Sequence, residues 1–160
     1  MRKYNILLVD DDYFVLNGMG KYLSGRGYNV TTADSGEKAL ELLEKMFFHM
    51  VITDLAMDEV DGIGVLKKTK ECNPETMVMI LTGYGDLNSA IDAVHLDADE
   101  YILKPCAPSK MGAKVSRCLE KYESAQKLKI DNVNLEKRPV RPSKRIYRSD
   151  CIEDLNVSAT

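Results

Sequence analysis

Histidine is scarce in this chain, with only His49 and His95 in 160 residues, and the four cysteines (Cys72, Cys106, Cys118, Cys151) form no CxxC pair. Those absences argue against a zinc site of clustered thiolates and imidazoles and against a disulfide framework, and they make reduced thiols in the cytoplasm the expectation. No apolar run approaches the roughly 20 residues of a membrane helix. The N-terminal run, Ile6-Leu7-Leu8-Val9, is also too short for the apolar region of a signal peptide. A net charge of -3 exerts no general pull on nucleic acid or anionic membrane. No GxGxxG follows the first apolar run, which counts against a dinucleotide site. What remains is 44% hydrophobic and 29% charged, enough to bury a core and solvate a surface.

Short apolar runs alternate with amphipathic stretches five times. Ile6-Leu7-Leu8-Val9 reads as a strand buried on both faces of a parallel sheet. Phe14, Val15, Met19, Tyr22 and Leu23 recur at helical spacing, and Gly25 and Gly27 stop that helix. Residues 28–33 are rich in β-branched side chains and predict a second strand. Ser35 starts a helix carrying Ala39, Leu40, Leu42 and Leu43. Met50-Val51-Ile52-Thr53 forms the third strand and runs into Asp54. An Asp61-Gly62 turn precedes a helix with Ile63 and Leu66, which ends at Asn73-Pro74 because proline disfavours helical geometry in the residue before it. A fourth strand covers 77–81, a helix 86–96, and a fifth strand Tyr101-Ile102-Leu103, ending at Lys104-Pro105. Pro108 opens a last helix whose stripe is Met111, Val115, Cys118, Leu119 and Tyr122, with helix expected to about Asn134.

Five strands alternating with helices imply an α/β fold: a parallel sheet joined by right-handed crossovers and covered on both faces. Five units in about 125 residues fit the doubly wound, flavodoxin-like order 2-1-3-4-5. Residues 1–125 form this domain. Residues 126–160 read as a helical extension and a basic, proline-containing linker or tail, with Lys137, Arg138, Arg141, Lys144, Arg145 and Arg148 around Pro139 and Pro142.

Ligands of such sheets bind at the carboxyl ends of strands, where the strand order reverses. That edge receives Asp10, Asp11 and Asp12 after the first strand, Asp54 after the third, Thr82 after the fourth and Lys104 after the fifth. Converging carboxylates repel unless protonated or metal-bound, and a hard divalent cation is the natural partner. An ammonium and a hydroxyl beside them suit a phosphoryl group, whose transfer is mostly positioning and charge neutralisation. With no Ser–His pair or reactive cysteine environment, the nucleophile is a carboxylate.

The segments Ile6-Leu7-Leu8-Val9-Asp10-Asp11, Asp54-Leu55-Ala56-Met57 with Asp61-Gly62, Leu81-Thr82-Gly83-Tyr84-Gly85 and Tyr101-Ile102-Leu103-Lys104-Pro105 resemble the receiver domain of two-component response regulators. The match runs over residues 4–124, in order and in register. The resemblance implies that Asp54 accepts the phosphoryl group, in a reaction dependent on Mg²⁺ or Mn²⁺. Asp11 would coordinate the metal directly, Asp10 through water, and Ala56 through its backbone carbonyl. Thr82 would hydrogen-bond the phosphoryl group, Lys104 would pair with it, and the bond to Pro105 would be cis. Tyr101 would be the aromatic switch that turns inward with Thr82. Asp12 falls one residue past the acidic pair and reads as a helix cap. The sequence departs from the family pattern at Asp58, where proline is usual, at Asp97, where glycine is usual, and at Cys106-Ala107.

The function so implied is a phosphorylation-dependent switch rather than a turnover enzyme. It would be charged by a sensor histidine kinase or phosphotransfer protein and read by an output domain or protein. The output surface would be helix 86–96, the fifth strand and the last helix, serving dimerisation or partner docking, with no role for membrane or nucleic acid. Two other readings are weaker. An aspartate-nucleophile phosphohydrolase wants DxDx[TV], and Asp10-Asp11-Asp12-Tyr13-Phe14 lacks the last residue. A phosphorylation-independent adaptor would not need Asp11, Asp54, Thr82 and Lys104 together.

Overall fold

The computed structural model describes residues 3–83 and 97–137. The helix expected at 86–96, with Tyr84, Gly85 and His95, and the basic segment after Lys137, with Cys151, lie outside them. The chain divides into two compact units, Met1–Ala125 and Gln126–Thr160.

Five parallel strands, β1 (Asn5–Val9), β2 (Asn29–Ala33), β3 (Met50–Asp54), β4 (Met77–Thr82) and β5 (Glu100–Leu103), form one sheet in the order β2-β1-β3-β4-β5. Every residue of β3 is buried, as a central strand covered on both faces requires. At the edge, β2 is buried only at Ala33. Alternation sorts the side chains. Ile6, Leu8, Met50, Ile52, Met79 and Leu81 point to one core with Leu16 and Leu23 of α1 (Tyr13–Gly25) and Met111, Val115 and Leu119 of the C-terminal helix (Pro108–Lys137). Leu7, Val9, Val51, Val78 and Ile80 point to the other, with Ala39 and Leu43 of α2 (Gly36–Lys45) and Val65 and Leu66 of α3 (Gly62–Cys72). Each fully buried Leu or Ile contributes about 1.5–3 kcal/mol, so these layers supply most of the drive to fold.

Side-chain oxygens start three helices. Asp12 accepts from Phe14 N, Ser35 from Lys38 N and Asp61 from Gly64 N. Asp12 is thus the cap its position suggested. Asp61-Gly62 is a helix start rather than a free turn.

Two expectations are corrected. Phe14 does not belong to the buried stripe of α1: it is 83% exposed, and Leu16, Gly20 and Leu23 face the core instead. At about 100° per residue, Phe14 lies half a turn round from Leu23, on the side of α1 turned away from the core. The C-terminal helix runs through Lys137, past Asn134; no proline interrupts it before that point.

Candidate functional site

The strand register brings the carboxyl ends to one edge. Val9 lies beside Thr53, Asp54 beside Leu81, and Thr82 beside Leu103. The residues following Val9 and Leu103 are therefore delivered beside Asp54. Carboxylate oxygens of Asp10, Asp11 and Asp54 lie within 4.8 Å of one another. Lys104 Nζ is 2.8 Å from Asp10 Oδ2 and 3.3 Å from Asp54 Oδ1, so one ammonium spans both buried acids. The Lys104–Pro105 peptide bond is cis.

Asp10 is fully buried and both of its oxygens are engaged, Oδ1 by the Asp12 backbone N–H at 2.9 Å and Oδ2 by Lys104. Asp11 is exposed and opens toward solvent. Asp54 is only 7% exposed. Burial, then the negative charge of Asp10, raises its pKa above the ordinary carboxylate value, although Lys104 pulls the other way. Burial lowers the Lys104 pKa, but its hydrogen bond to Asp10 and the charges of Asp10 and Asp54 outweigh this and leave it raised. Lys104 is therefore a permanent cation, and Asp54 is an acid held reluctantly in its charged form. Three acids against one base make a site short of positive charge, and an all-oxygen donor set of this kind fits a hard divalent cation.

Thr82 ends β4, nearly buried, with its Oγ1 donating to the Gly83 carbonyl at 3.2 Å. Tyr101 is half-buried and packs against the core on the α2–α3 side; burial, followed by the charges of Asp99 and Glu100, raises its phenol pKa. Ala56 is exposed in the loop joining β3 to α3. Asp58, in the same loop, lines a cavity of about 170 Å³ together with Asp11, Asp34, Glu37 and Glu59. Asp97 adopts φ 67°, the left-handed region in which aspartate is tolerated and glycine is at ease. A larger cavity, about 510 Å³, lies away from this chemistry, between α1 and the edge strand β2.

Two residues that shape this edge escape a reading of the sequence alone. A Cβ at Gly62 would run into the Asp54 carbonyl oxygen and stand 2.8 Å from Leu55 Cα. A Cβ at Gly36 would run into the Val60 carbonyl oxygen and stand 2.8 Å from its carbon. Each glycine directly follows a helix cap, Ser35 or Asp61. A poor helix former at a first helical position open to most residues was the available signal.

The response regulator receiver domain model matches residues 6–116. Among curated proteins, the transcriptional regulatory protein ZraR of Escherichia coli (strain K12) is 37% identical over 115 residues, 72% of this chain and 26% of that protein. The alginate biosynthesis transcriptional regulatory protein AlgB of Pseudomonas putida is 32% identical over 123 residues, 77% of this chain and 28% of that protein. The chain thus spans about a quarter of the length of these relatives. Among solved structures, a CheY-like receiver domain protein from Methanospirillum hungatei JF-1 has a TM-score of 0.75 at 28% identity, covering 78% of this chain and 99% of that one. Full-length FixJ from B. japonicum has a TM-score of 0.71 at 29% identity, covering 79% of this chain and 63% of that one.

Proposed function

Because this chain belongs to the response regulator receiver domain family, whose work is phosphorylation-dependent signalling, we propose that Asp54 is its phosphoacceptor and that Asp10, Asp11, Thr82 and Lys104 serve it. The observation that carries this reading is the meeting of Asp54 with Asp10, Asp11 and a single bridging ammonium at one sheet edge.

Asp11, Asp54 and the carbonyl of Ala56 would hold Mg²⁺ directly. Asp10, both of whose oxygens are engaged, would act through water. When bound, the cation would supply positive charge to the oxygens of the transferring phosphoryl group and favour the ionised form of Asp54. A carboxylate oxygen of Asp54 attacks phosphorus, the bond from phosphorus to the donor's imidazole nitrogen breaks, and that nitrogen keeps the electron pair. The product is a mixed anhydride on Asp54. Lys104, already 3.3 Å from Asp54, turns its ammonium to the new phosphoryl oxygens. Thr82 trades its bond to the Gly83 carbonyl for one to the phosphoryl group, and Tyr101 follows inward.

The chain catalyses its own labelling and slow hydrolysis and does not turn over a free substrate. Its donor is a cytoplasmic histidine kinase or phosphotransfer protein. Its reader is an output domain or protein contacting β5 and the C-terminal helix, or a second copy of the chain. Among the described residues, no helix is long and apolar enough to cross a membrane.

Incubation with Mg²⁺ and acetyl phosphate, followed by intact-mass analysis, tests the assignment. One hydroxylamine-labile phosphoryl adduct is expected, dependent on metal and absent from Asp54→Asn. Full labelling of that variant would assign the chemistry to another residue.

A further inference from the structure

We infer that Gly36 and Gly62 are positioning residues for the metal-binding loop, gripping the segment that carries Ala56 from its two ends. This rests on the proposed role of the Ala56 carbonyl.

The loop leaves β3 at Asp54 and enters α3 at Gly62. Its first residues are fixed by backbone alone: Leu55 N donates to Leu81 O at 2.9 Å, and Gly62 N donates to Leu55 O at 2.9 Å. The second bond draws the start of α3 so close that no side chain fits between Gly62 and the backbone of Asp54 and Leu55. The far end is held by a different element. Val60 presses its backbone onto Gly36, the first residue of α2, leaving no room for a methyl group there either.

Between these grips the chain has little freedom. Glu59 is turned into the left-handed region at φ 53°, and Val60 Cγ1 would stand 3.0 Å from a Cβ at Gly64. Ala56 lies inside the gripped segment. The obstructing atoms at both glycines are mostly backbone, which cannot swing aside as the end of a side chain can. A methyl group at either position must therefore move the loop, and with it the Ala56 carbonyl. A hard cation with strict octahedral geometry tolerates such displacement poorly.

Gly112 provides a control on the other face of the sheet. A Cβ there would stand 2.8 Å from Tyr22 Cε1, a milder clash than at the two loop glycines, and against a side-chain ring within the helical layer that covers that face.

The experiment titrates Mg²⁺ by calorimetry into the full chain as wild type, Gly36→Ala, Gly62→Ala and Gly112→Ala, with metal-free unfolding curves measured alongside. Mg²⁺ dissociation constants about tenfold weaker are expected for the first two variants, the scale of losing a group that orients a metal ligand. Gly112→Ala should bind within twofold of wild type, whatever its stability. Saturating Mg²⁺ should return acetyl phosphate labelling of both loop variants toward the wild-type rate, and the metal-free unfolding curves should show each variant fully folded at the titration temperature, because bound metal would also rescue a merely unstable protein. Folded Gly36→Ala and Gly62→Ala proteins with wild-type affinity would overturn the inference. So would failure of either to fold, which would make that glycine a folding determinant. Absence of Mg²⁺ binding by the wild type would instead remove the functional reading beneath it.

Discussion

The two edges of the sheet are built from similar residues and arrive at opposite electrostatic outcomes. At the edge where strands begin, charges and polar groups satisfy one another. Asp99 Oδ2 accepts from Lys70 Nζ at 3.0 Å and from Val78 N at 2.8 Å, while Lys70 also donates to the Thr76 carbonyl at 2.8 Å. Thr76 Oγ1 donates to Phe48 O at 2.7 Å, and His49 Nδ1 accepts from Asn5 N at 2.9 Å. At the edge where strands end, Asp10 and Asp54 share Lys104, with a carboxylate oxygen of Asp11 close to theirs. The first arrangement is complete as it stands and holds β4 and β5 in register. The second lacks positive charge, the shortage that the proposed divalent cation would fill. Removing an acid should therefore have opposite effects at the two edges.

The largest expected effect on stability comes from Lys104→Met. It strips fully buried Asp10 of its cation, and metal-free denaturant unfolding should show a loss of about 3 kcal/mol, the scale of breaking a buried pair on one side. A loss under half a kcal/mol would mean that the acids are already relieved by protonation.

Next is Asp99→Ala at the opposite edge, which leaves Lys70 and the Val78 N–H without their acceptor. Both side chains are partly exposed, so the same measurement should give a smaller loss, about 2 kcal/mol. Labelling of Asp54 should survive at temperatures where the variant is folded. Loss of labelling there would erase the division between the edges.

The smallest effect has the opposite sign. Asp54→Asn should stabilise the metal-free protein by about 1 kcal/mol at pH 7, since it removes a charge that burial and neighbouring Asp10 disfavour. With its pKa raised, wild-type Asp54 binds its proton more tightly folded than unfolded. Wild-type stability therefore falls as pH climbs from the ordinary carboxylate range through the raised value. The advantage of the variant should open over that window and vanish below pH ~4, where both states are protonated. Unfolding curves from pH 3 to 8 would show it, and an advantage independent of pH would locate its cause elsewhere.

Much of this edge was legible before any coordinates. Asp10, Asp11 and Asp54 follow apolar runs that could only be buried parallel strands, and the strand order carries their ends to one place. The bridging of Asp10 and Asp54 by Lys104 was less so. The lysine was expected to pair with a phosphoryl group, and its bond to an acid 94 positions away depends on where β5 closes the sheet. The Lys70–Asp99 pair, 29 positions apart and with no motif around it, was missed for the same reason. Phe14 was grouped with the apolar positions of α1, but it lies half a turn round the helix from Leu23 and so faces away from the core.

The elements, their parallel order and the chemistry gathered at the strand ends follow from the order of amino acids alone, because strand burial, helix caps and crossover handedness are local properties of the chain. Which acid the lysine holds, how far Asp54 is buried and why two glycines border its loop were settled only by the packed molecule. Those outcomes depend on distances between atoms remote in sequence, and a contact of backbone against backbone leaves no side-chain pattern to read.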